Sequence, residues 1–143
     1  LILVPEIGKV QTLICYEVIF SGQVVAPPNR PDLIVNITND AWFGTTIGPW
    51  QHLYQSQMRA VEEGIPLLRV ANTGISAAFD GFGRQLGSIA LGDRAYLDIA
   101  VPSVLTAPVF ARFGNTGLFA LCVGVFGVAV VLHRRPRQKS YGA

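Results

Sequence analysis

Charged residues are scarce in this sequence, which excludes several classes of protein. Only 14% of its 143 residues are charged, whereas 50% are hydrophobic, and a disordered chain has the opposite balance. The net charge is +2, but four of the eleven basic residues lie in the last ten positions, so the remainder is slightly acidic. A nucleic-acid surface needs basic groups along one face with aromatic residues between them. We therefore expect no nucleic-acid partner, and the length predicts one domain with a short appendage.

Cysteine and histidine are also rare, with two of each. Cys15 and Cys122 lie in segments of different character and cannot frame a disulfide-rich domain, so both are predicted to be free thiols. His52 and His133 are isolated in the sequence, which leaves no histidine cluster with metal-ligand spacing. We expect no metal and no cofactor.

The longest uncharged apolar run lies near the end of the chain, at residues 113–132. About 20 apolar residues span the hydrocarbon core of a bilayer as a helix. The alternative is a helix buried in a soluble core, but Gly117, Gly124 and Gly127 suit a membrane span better. By the positive-inside rule, the basic residues that follow place the C-terminus in the cytoplasm and the preceding body on the outer side.

The preceding sequence is predicted to be α/β with a mixed sheet. Its strand candidates are residues 1–4, 11–15, 32–38, 67–71, 75–79, 85–91 and 96–101. A helix is predicted from Pro49, a favoured first helical residue, to Glu63, with Gly64 as its stop. Because the chain opens within an apolar run, we expect it to be a C-terminal fragment.

Five apolar side chains give this helix a predicted core-facing stripe. They recur at helical spacing and are Trp50, Leu53, Tyr54, Met58 and Val61. On the same helix, Arg59 and Glu63 are four residues apart and are predicted to form a solvated pair.

Cys15 ends a predicted buried strand and is a candidate nucleophile. A reactive thiolate needs a base or a cation beside it and a donor for the oxyanion. Lys9 and His52 are candidates for such partners, but neither has a spacing that requires the role. Buried cysteines also commonly serve only in packing, so the cysteine alone leaves both interpretations open.

Several motifs occur along nearly the whole chain. They are ICYE at 14–17, ITNDAWFG at 37–44, GPWQH at 48–52, MRA at 58–60, PLLR at 66–69 and NTGI at 72–75. Together they closely resemble bacterial apolipoprotein N-acyltransferases, and the specific part is NDAWFG followed by GPWQH. That family joins a multi-pass membrane domain to a nitrilase-type domain outside the cytoplasmic (inner) membrane and ends in a transmembrane helix.

The resemblance implies a division of the chain into four parts. Residues 1–101 would be the C-terminal part of a nitrilase-like α/β sandwich, and residues 102–112 a linker. A transmembrane helix would follow at 113–132, with a basic cytoplasmic tail at 133–143.

The resemblance also implies a two-step acyl transfer. Cys15 would attack a membrane phospholipid ester and form a thioester, and the N-terminal amine of a diacylglyceryl-cysteine apolipoprotein would then take the acyl group. Tyr16 and Glu17 match supporting positions beside the nucleophile. Glu17 is expected to orient groups in the site or the arriving amine, with a helix-start carboxylate as the alternative, and Tyr16 could equally serve in packing.

Four further residues are implied to bind substrate. Trp42 and Phe43 match a mobile aromatic loop that could enter lipid or cover acyl chains, the alternative being a loop tip folded into the domain. Asn72 and Gly74 match a loop that lines the nitrilase pocket.

The catalytic unit of the family is only partly present. The Glu and Lys of the nitrilase triad lie well upstream of the nucleophile in the family, and neither Glu6 nor Lys9 matches them. The isolated chain is therefore expected to be inactive and to expose strand edges. Two rival functions remain: a membrane-tethered nitrilase-type amidase that hydrolyses C–N bonds through the same thiol, and a non-enzymatic membrane-anchored module in which Cys15 only packs.

Overall fold

The computed structural model describes residues 1–26 and 28–134, the side chain of Arg134 excepted. The chain forms two compact units, Leu1–Arg112 and a second that begins at Phe113. The division expected at residues 101, 112 and 132 stays a prediction, and most of the expected basic tail lies outside the described residues.

Six strands form one mixed sheet in the first unit, as the sequence predicts. They are β1 (Ile2–Val4), β2 (Gly8–Ile14), β3 (Leu33–Asn39), β4 (Leu67–Asn72), β5 (Ser76–Phe79) and β6 (Gln85–Ile89). The strands follow chain order across the sheet. β2, β3 and β4 are parallel neighbours, whereas β1, β5 and β6 pair antiparallel at the two sides. The carboxyl ends of three parallel strands therefore meet at one edge.

Three α-helices and two short 3₁₀ helices complete the described fold. They are α1 (Gly48–Glu63), α2 (Val109–Phe113) and α3 (Thr116–Arg134), with 3₁₀ helices at Cys15–Ile19 and Ala41–Phe43. α1 supplies the crossover that the parallel strands β3 and β4 require. Pro49 lies in its first turn, and Gly64 ends it in the left-handed conformation with φ of 62°. Both end signals therefore act as predicted.

One predicted strand is wrong. Residues 96–101 form neither a strand nor a helix. The side chains of Leu97 and Ile99 lie against Gly87 of β6, so this run crosses over the sheet through side-chain packing. Tyr96 is 88% exposed, and the run lacks the alternating buried face of a paired strand.

The core-facing stripe predicted for α1 is wrong for four of its five residues. Leu53 is buried, as predicted. The other four are between 39% and 59% exposed, and they are Trp50, Tyr54, Met58 and Val61. The exposed side of α1 thus carries four large apolar side chains beside Gln51 and Gln55, unlike the polar outer face of an ordinary amphipathic surface helix.

The buried side of α1 carries polar residues: His52, Ser56, Arg59 and Glu63. The sheet explains this reversal, because Asn36 of β3 and Arg69 of β4 are themselves fully buried. Polar side chains on the helix supply the partners that these buried groups need. The solvated Arg59–Glu63 pair is also wrong, since Arg59 is buried and forms its ion pair with Glu62 at 2.8 Å.

An apolar core surrounds this polar contact between the sheet and α1. Its members are Leu13, Val18, Val24, Ile34, Leu53, Ala60, Ile65, Leu67, Ile75, Ala77 and Phe79. The opposite face of the sheet carries an exposed row in which Ile14 pairs with Ile37 and Ile37 with Val70. The described residues therefore cover one face of the sheet with α1 and leave this row on the other face exposed.

The second unit consists, in its described part, of α3 and the residues that lead into it. The 18 residues Thr116–His133 have a mean hydropathy of 2.2 and are long and apolar enough to cross a membrane. This criterion is one of length and composition.

Candidate functional site

Cys15 lies directly after β2, at the carboxyl edge of the parallel strands, as predicted. Its φ is 51°, in the left-handed region that side chains other than glycine rarely adopt. Such a conformation costs about 1–3 kcal/mol and persists only where the surroundings enforce it. Strained residues of this kind cluster at active sites.

Two side chains hold the backbone on either side of Cys15. The Glu17 carboxylate accepts a hydrogen bond from the Ile14 N–H, with Oε2 2.6 Å from the nitrogen. The Asn36 amide donates to the carbonyl oxygens of Leu13 and Cys15, at 3.2 and 3.3 Å from Nδ2. We call residues 13–17, held in this way, the Cys15 turn.

The rings of Tyr16, Phe43 and His52 form one cluster in which each ring contacts the other two. The Tyr16 ring stacks on His52 with centroids 5.4 Å apart and planes at 28°. Phe43 meets both rings edge-on, at 6.2 Å from Tyr16 and 5.9 Å from His52. Trp42, the neighbour of Phe43, lies outside this cluster and is 79% exposed. Within the loop that follows β3, the Phe43 ring is thus packed and the Trp42 ring is exposed to solvent.

Asn72 and Gly74 lie at the end of β4, beside the end of β3. The carbonyl of Asn72 accepts a hydrogen bond from the Asp40 N–H at 3.1 Å, which ties the two strand ends together. A Cβ at Gly74 would clash with the Asp40 carboxylate and the Cβ of Ala71. The absence of a side chain at Gly74 therefore allows this loop to approach Asp40 closely.

The predicted site residues share one place in the fold. Cys15, Tyr16 and Glu17 follow β2, Trp42 and Phe43 follow β3, and Asn72 and Gly74 end or follow β4. In open α/β sheets, ligands bind in the crevice outside the carboxyl ends of the strands. The sheet topology thus brings all three sequence motifs to one edge, although Trp42 points into solvent.

A buried ion pair lies beneath this edge, and sequence reasoning missed it. The Arg69 guanidinium places Nη2 2.5 Å from Oδ2 of Asp40, and neither side chain has solvent access. His52 Nδ1 lies 2.9 Å from the other carboxylate oxygen of Asp40. Thr38 Oγ1 also donates to that oxygen at 3.2 Å. The Asp40 carboxylate is therefore fully engaged.

The remaining donors of Arg69 are also engaged. Nη1 donates to Asn36 Oδ1 at 2.6 Å and to Ser56 Oγ at 3.1 Å, and Nε donates to the Ile75 carbonyl at 3.3 Å. Arg69, within β4, thereby links Asp40 after β3 and Ser56 of α1 to Asn36, which holds the Cys15 turn. We call Asp40, Arg69, Asn36, Ser56 and His52 the buried polar network.

The sequence contains a signal for this network. Asn36 interrupts the apolar run of β3, Arg69 interrupts that of β4, and the two face each other in the strand register. A polar residue inside each of two neighbouring buried strands indicates a mutual partner.

Burial sets the charge states of the network. Burial and the Arg69 charge lower the pKa of His52 below 6.5, against the opposing effect of Asp40. Burial also lowers the pKa of Arg69, and the Asp40 carboxylate opposes this shift. His52 is therefore neutral at neutral pH.

The described residues include no group of three or more His, Cys, Asp or Glu side chains arranged to hold a metal ion. The edge presents the Cys15 thiol together with the amides, carboxylates and rings around it.

A family comparison agrees with this architecture. Residues 2–107, which are most of the chain, match the carbon-nitrogen hydrolase family. The chain belongs to this family and has its nitrilase-like α/β fold.

Within that class, the chain is similar to proteins named apolipoprotein N-acyltransferase, which confirms the resemblance seen in the motifs. It is 52% identical over 135 residues to the one from Bradyrhizobium diazoefficiens, covering 94% of this chain and 25% of the relative. It is 42% identical over 132 residues to the one from Rhodopseudomonas palustris, covering 92% and 24%. The chain thus spans about a quarter of the length of these curated relatives.

Among solved structures, the chain is similar to a mutant of the amidase from Nesterenkonia sp. AN1 with an acetamide moiety covalently added at its active site cysteine. The TM-score is 0.45 at 26% identity, over 59% of this chain and 35% of the amidase. The assignment to the family depends on the sequence matches.

Proposed function

We propose that the complete protein carrying this sequence transfers a fatty acyl group from a membrane phospholipid to the N-terminal amine of a diacylglyceryl-cysteine apolipoprotein. The observation that carries the proposal is the strained Cys15 turn at the carboxyl edge of three parallel strands. The family membership and the names of the relatives support the same reaction.

In the first step, the Cys15 sulfur attacks the carbonyl carbon of the phospholipid ester. An S–C bond forms and the ester C–O bond breaks, and the thiol proton ends on the leaving alkoxide of the lysophospholipid. A strained nucleophile at the end of a strand projects into the crevice where such an ester can reach it.

In the second step, the apolipoprotein amine attacks the thioester carbonyl carbon. The N–C bond forms, the S–C bond breaks, and a proton from the amine returns to the sulfur. A thioester suits this role because it is reactive toward amines and divides one hard step into two easier ones.

The other site residues receive supporting roles in this proposal. Glu17 and Tyr16 support the nucleophile, Glu17 through the Ile14 N–H and Tyr16 through its stack on His52. Trp42, which is exposed, and Phe43, which is anchored, cover or enter the acyl chains. Asn72 and Gly74 line the pocket beside them.

The membrane arrangement is part of the proposal. The apolar run at residues 113–132, which includes most of α3, spans the bacterial cytoplasmic membrane. The first unit lies on the outer, periplasmic side, and the basic tail lies in the cytoplasm. The apolar composition of α3 and the basic residues that follow it in the sequence support this orientation. The membrane phospholipid and the apolipoprotein are then both presented at the outer surface.

Intact-mass analysis of the complete protein in detergent, incubated with phospholipid, tests this reaction. We expect a mass gain of one acyl chain that hydroxylamine removes, present in the protein and in Cys122→Ser but absent in Cys15→Ser. Cys122 is the matched control because it is the other free cysteine of the chain. A folded protein that gains no adduct contradicts the proposal.

The family description favours one alternative, hydrolysis of C–N bonds by the same thiol. Product analysis separates the two reactions. Acyl transfer gives an N-acylated lipopeptide, whereas an amidase releases ammonia or an amine from an amide and lets water resolve the thioester.

A further inference from the structure

We propose that Asn36, oriented by Arg69, is a positioning residue that holds the Cys15 turn in its strained, reactive conformation. This inference rests on the proposed function, because it concerns the residue that would attack the ester. The two residues lie outside the sequence motif that contains the cysteine. Arg69 bonds Asn36 in the buried interior, and Asn36 bonds the Cys15 carbonyl.

The hydrogen bonds of Asn36 have only one workable direction. Its Oδ1 accepts from Arg69 Nη1 at 2.6 Å, and its Nδ2 donates to the carbonyls of Leu13 and Cys15. A guanidinium has donors only and a carbonyl is an acceptor only. A flipped amide would face donor with donor and acceptor with acceptor, so the Arg69 charge fixes the orientation of Asn36.

Arg69 is itself fixed by its surroundings. Asp40, Ser56 and the Ile75 carbonyl engage its guanidinium, which is wholly buried. A guanidinium presents its donors in a rigid fork, whereas a lysine ammonium is a compact charge on a flexible stem. The position of Asn36 is thereby tied to a rigid buried ion pair and not to a mobile surface contact.

The two bonds donated by Asn36 act on the strained part of the chain. They fix the carbonyls of Leu13 and Cys15, the latter belonging to the residue with φ of 51°. If this link is lost, Cys15 is free to relax toward an ordinary backbone conformation, which redirects its side chain. A displacement of about 1 Å at a reacting group costs about a hundredfold in rate.

The decisive variant is Asn36→Asp, tested in the complete protein. A carboxylate of nearly the same shape still accepts from Arg69 but cannot donate to the two carbonyls. We expect acyl-enzyme formation to slow by about a hundredfold, with kcat falling and KM for phospholipid unchanged. Amide hydrogen exchange, followed by mass spectrometry, is expected to accelerate within residues 13–20.

Arg59→Lys is the matched control. Arg59 is also a buried, ion-paired arginine, but it bonds Glu62 and the Ile19 carbonyl and lies outside the buried polar network. We expect it to lower the melting temperature with no comparable loss of kcat. Asn36→Leu, which adds no charge, replaces Asn36→Asp if the latter does not fold.

Either of two results overturns the inference: acylation at the unmodified rate in a folded Asn36 variant, or unchanged exchange at residues 13–20. If the unmodified protein forms no acyl-enzyme, the proposed function fails instead, and the exchange measurement still decides whether Asn36 holds the Cys15 turn.

Discussion

Arg69 and Asp40 form an ion pair, with Nη2 2.5 Å from Oδ2, in which neither side chain reaches solvent. The pair joins the end of β3 to the middle of β4, directly beneath the edge where the site residues meet. Both buried charges have further hydrogen-bond partners, because an unpaired buried charge is strongly destabilising. Because Arg69 also bonds Asn36, which bonds the Cys15 carbonyl, the position of the Cys15 turn depends on this buried ion pair.

Asp40→Asn tests this dependence. It leaves the Arg69 charge buried without its counter-ion, so we expect the free energy of unfolding to fall by about 3–5 kcal/mol. Thermal and urea unfolding of the complete protein in detergent measure the loss. Arg84→Ala is the comparison, because Arg84 pairs with Asp80 while its side chain is 74% exposed. That exposed pair is expected to contribute about 1 kcal/mol or less, and equal losses in the two variants contradict the prediction.

Gly74→Ala tests the close approach of the β4 loop to the network. The added methyl group would clash with the Asp40 carboxylate and with Ala71. We expect a loss of about 1–3 kcal/mol, typical of overpacking a filled site, measured as a lower melting temperature. Gly117→Ala is the control, since a Cβ there meets no atom within 4 Å among the described residues. A Gly74→Ala protein as stable as this control shows that the loop can shift away from Asp40.

The positions of most strands along the chain and the place of Cys15 could be predicted because both depend on local patterns. Apolar runs marked the strands, and a cysteine that ends such a run must lie at a sheet edge. The buried side of α1 could not be predicted from the same rule. That rule assumes that polar residues face water, whereas His52 and Arg59 face a core that contains its own charge.

The contacts of the buried polar network depend on tertiary structure. Asp40 and Arg69 are 29 residues apart, and Asn36 and Arg69 are 33 apart. Sequence spacing carries no information about such partners unless the strand register is known. The register itself follows from the parallel pairing of β3 with β4, which places Asn36 opposite Arg69.

The pKa of His52 gives a pH dependence of stability. Burial and the Arg69 charge lower this pKa below 6.5 in the folded protein, so the unfolded chain binds the proton first as the pH falls. The contribution of His52 is therefore complete above about pH 6.5 and is lost as the pH falls through its folded value. We expect the slope to approach about 1.4 kcal/mol per pH unit.

Unfolding free energies of the complete protein and of His52→Gln, measured from pH 7.5 to pH 5, isolate this contribution. The difference between the two proteins removes the effects of groups they share, including His133. Parallel pH profiles contradict the prediction, because they would mean that His52 takes up its proton equally in the folded and unfolded chains.

Trp42→Ala separates lipid contact from stability. The side chain is 79% exposed, so its removal is expected to change the free energy of unfolding by about 0.5 kcal/mol or less. If Trp42 covers or enters acyl chains, KM for phospholipid rises while the melting temperature stays constant. Trp50→Ala, on the exposed side of α1, is the matched control and is expected to leave KM unchanged. An unchanged KM in Trp42→Ala removes Trp42 from the substrate-binding residues.

The strain at Cys15 predicts that glycine is tolerated there better than alanine, although both substitutions abolish the reaction. Glycine adopts a φ of 51° without the steric conflict between Cβ and the carbonyl oxygen that other residues meet, a conflict worth about 1–2 kcal/mol. Cys15→Gly and Cys15→Ala both lack the thiol and differ only by one methyl group. We therefore expect Cys15→Gly to unfold at a higher temperature than Cys15→Ala. The difference in the free energy of unfolding is about 1 kcal/mol, after the greater flexibility of glycine in the unfolded chain is subtracted. If Cys15→Ala is as stable as Cys15→Gly or more stable, the Cys15 turn holds no strain. The proposed link between strain and reactivity then fails as well.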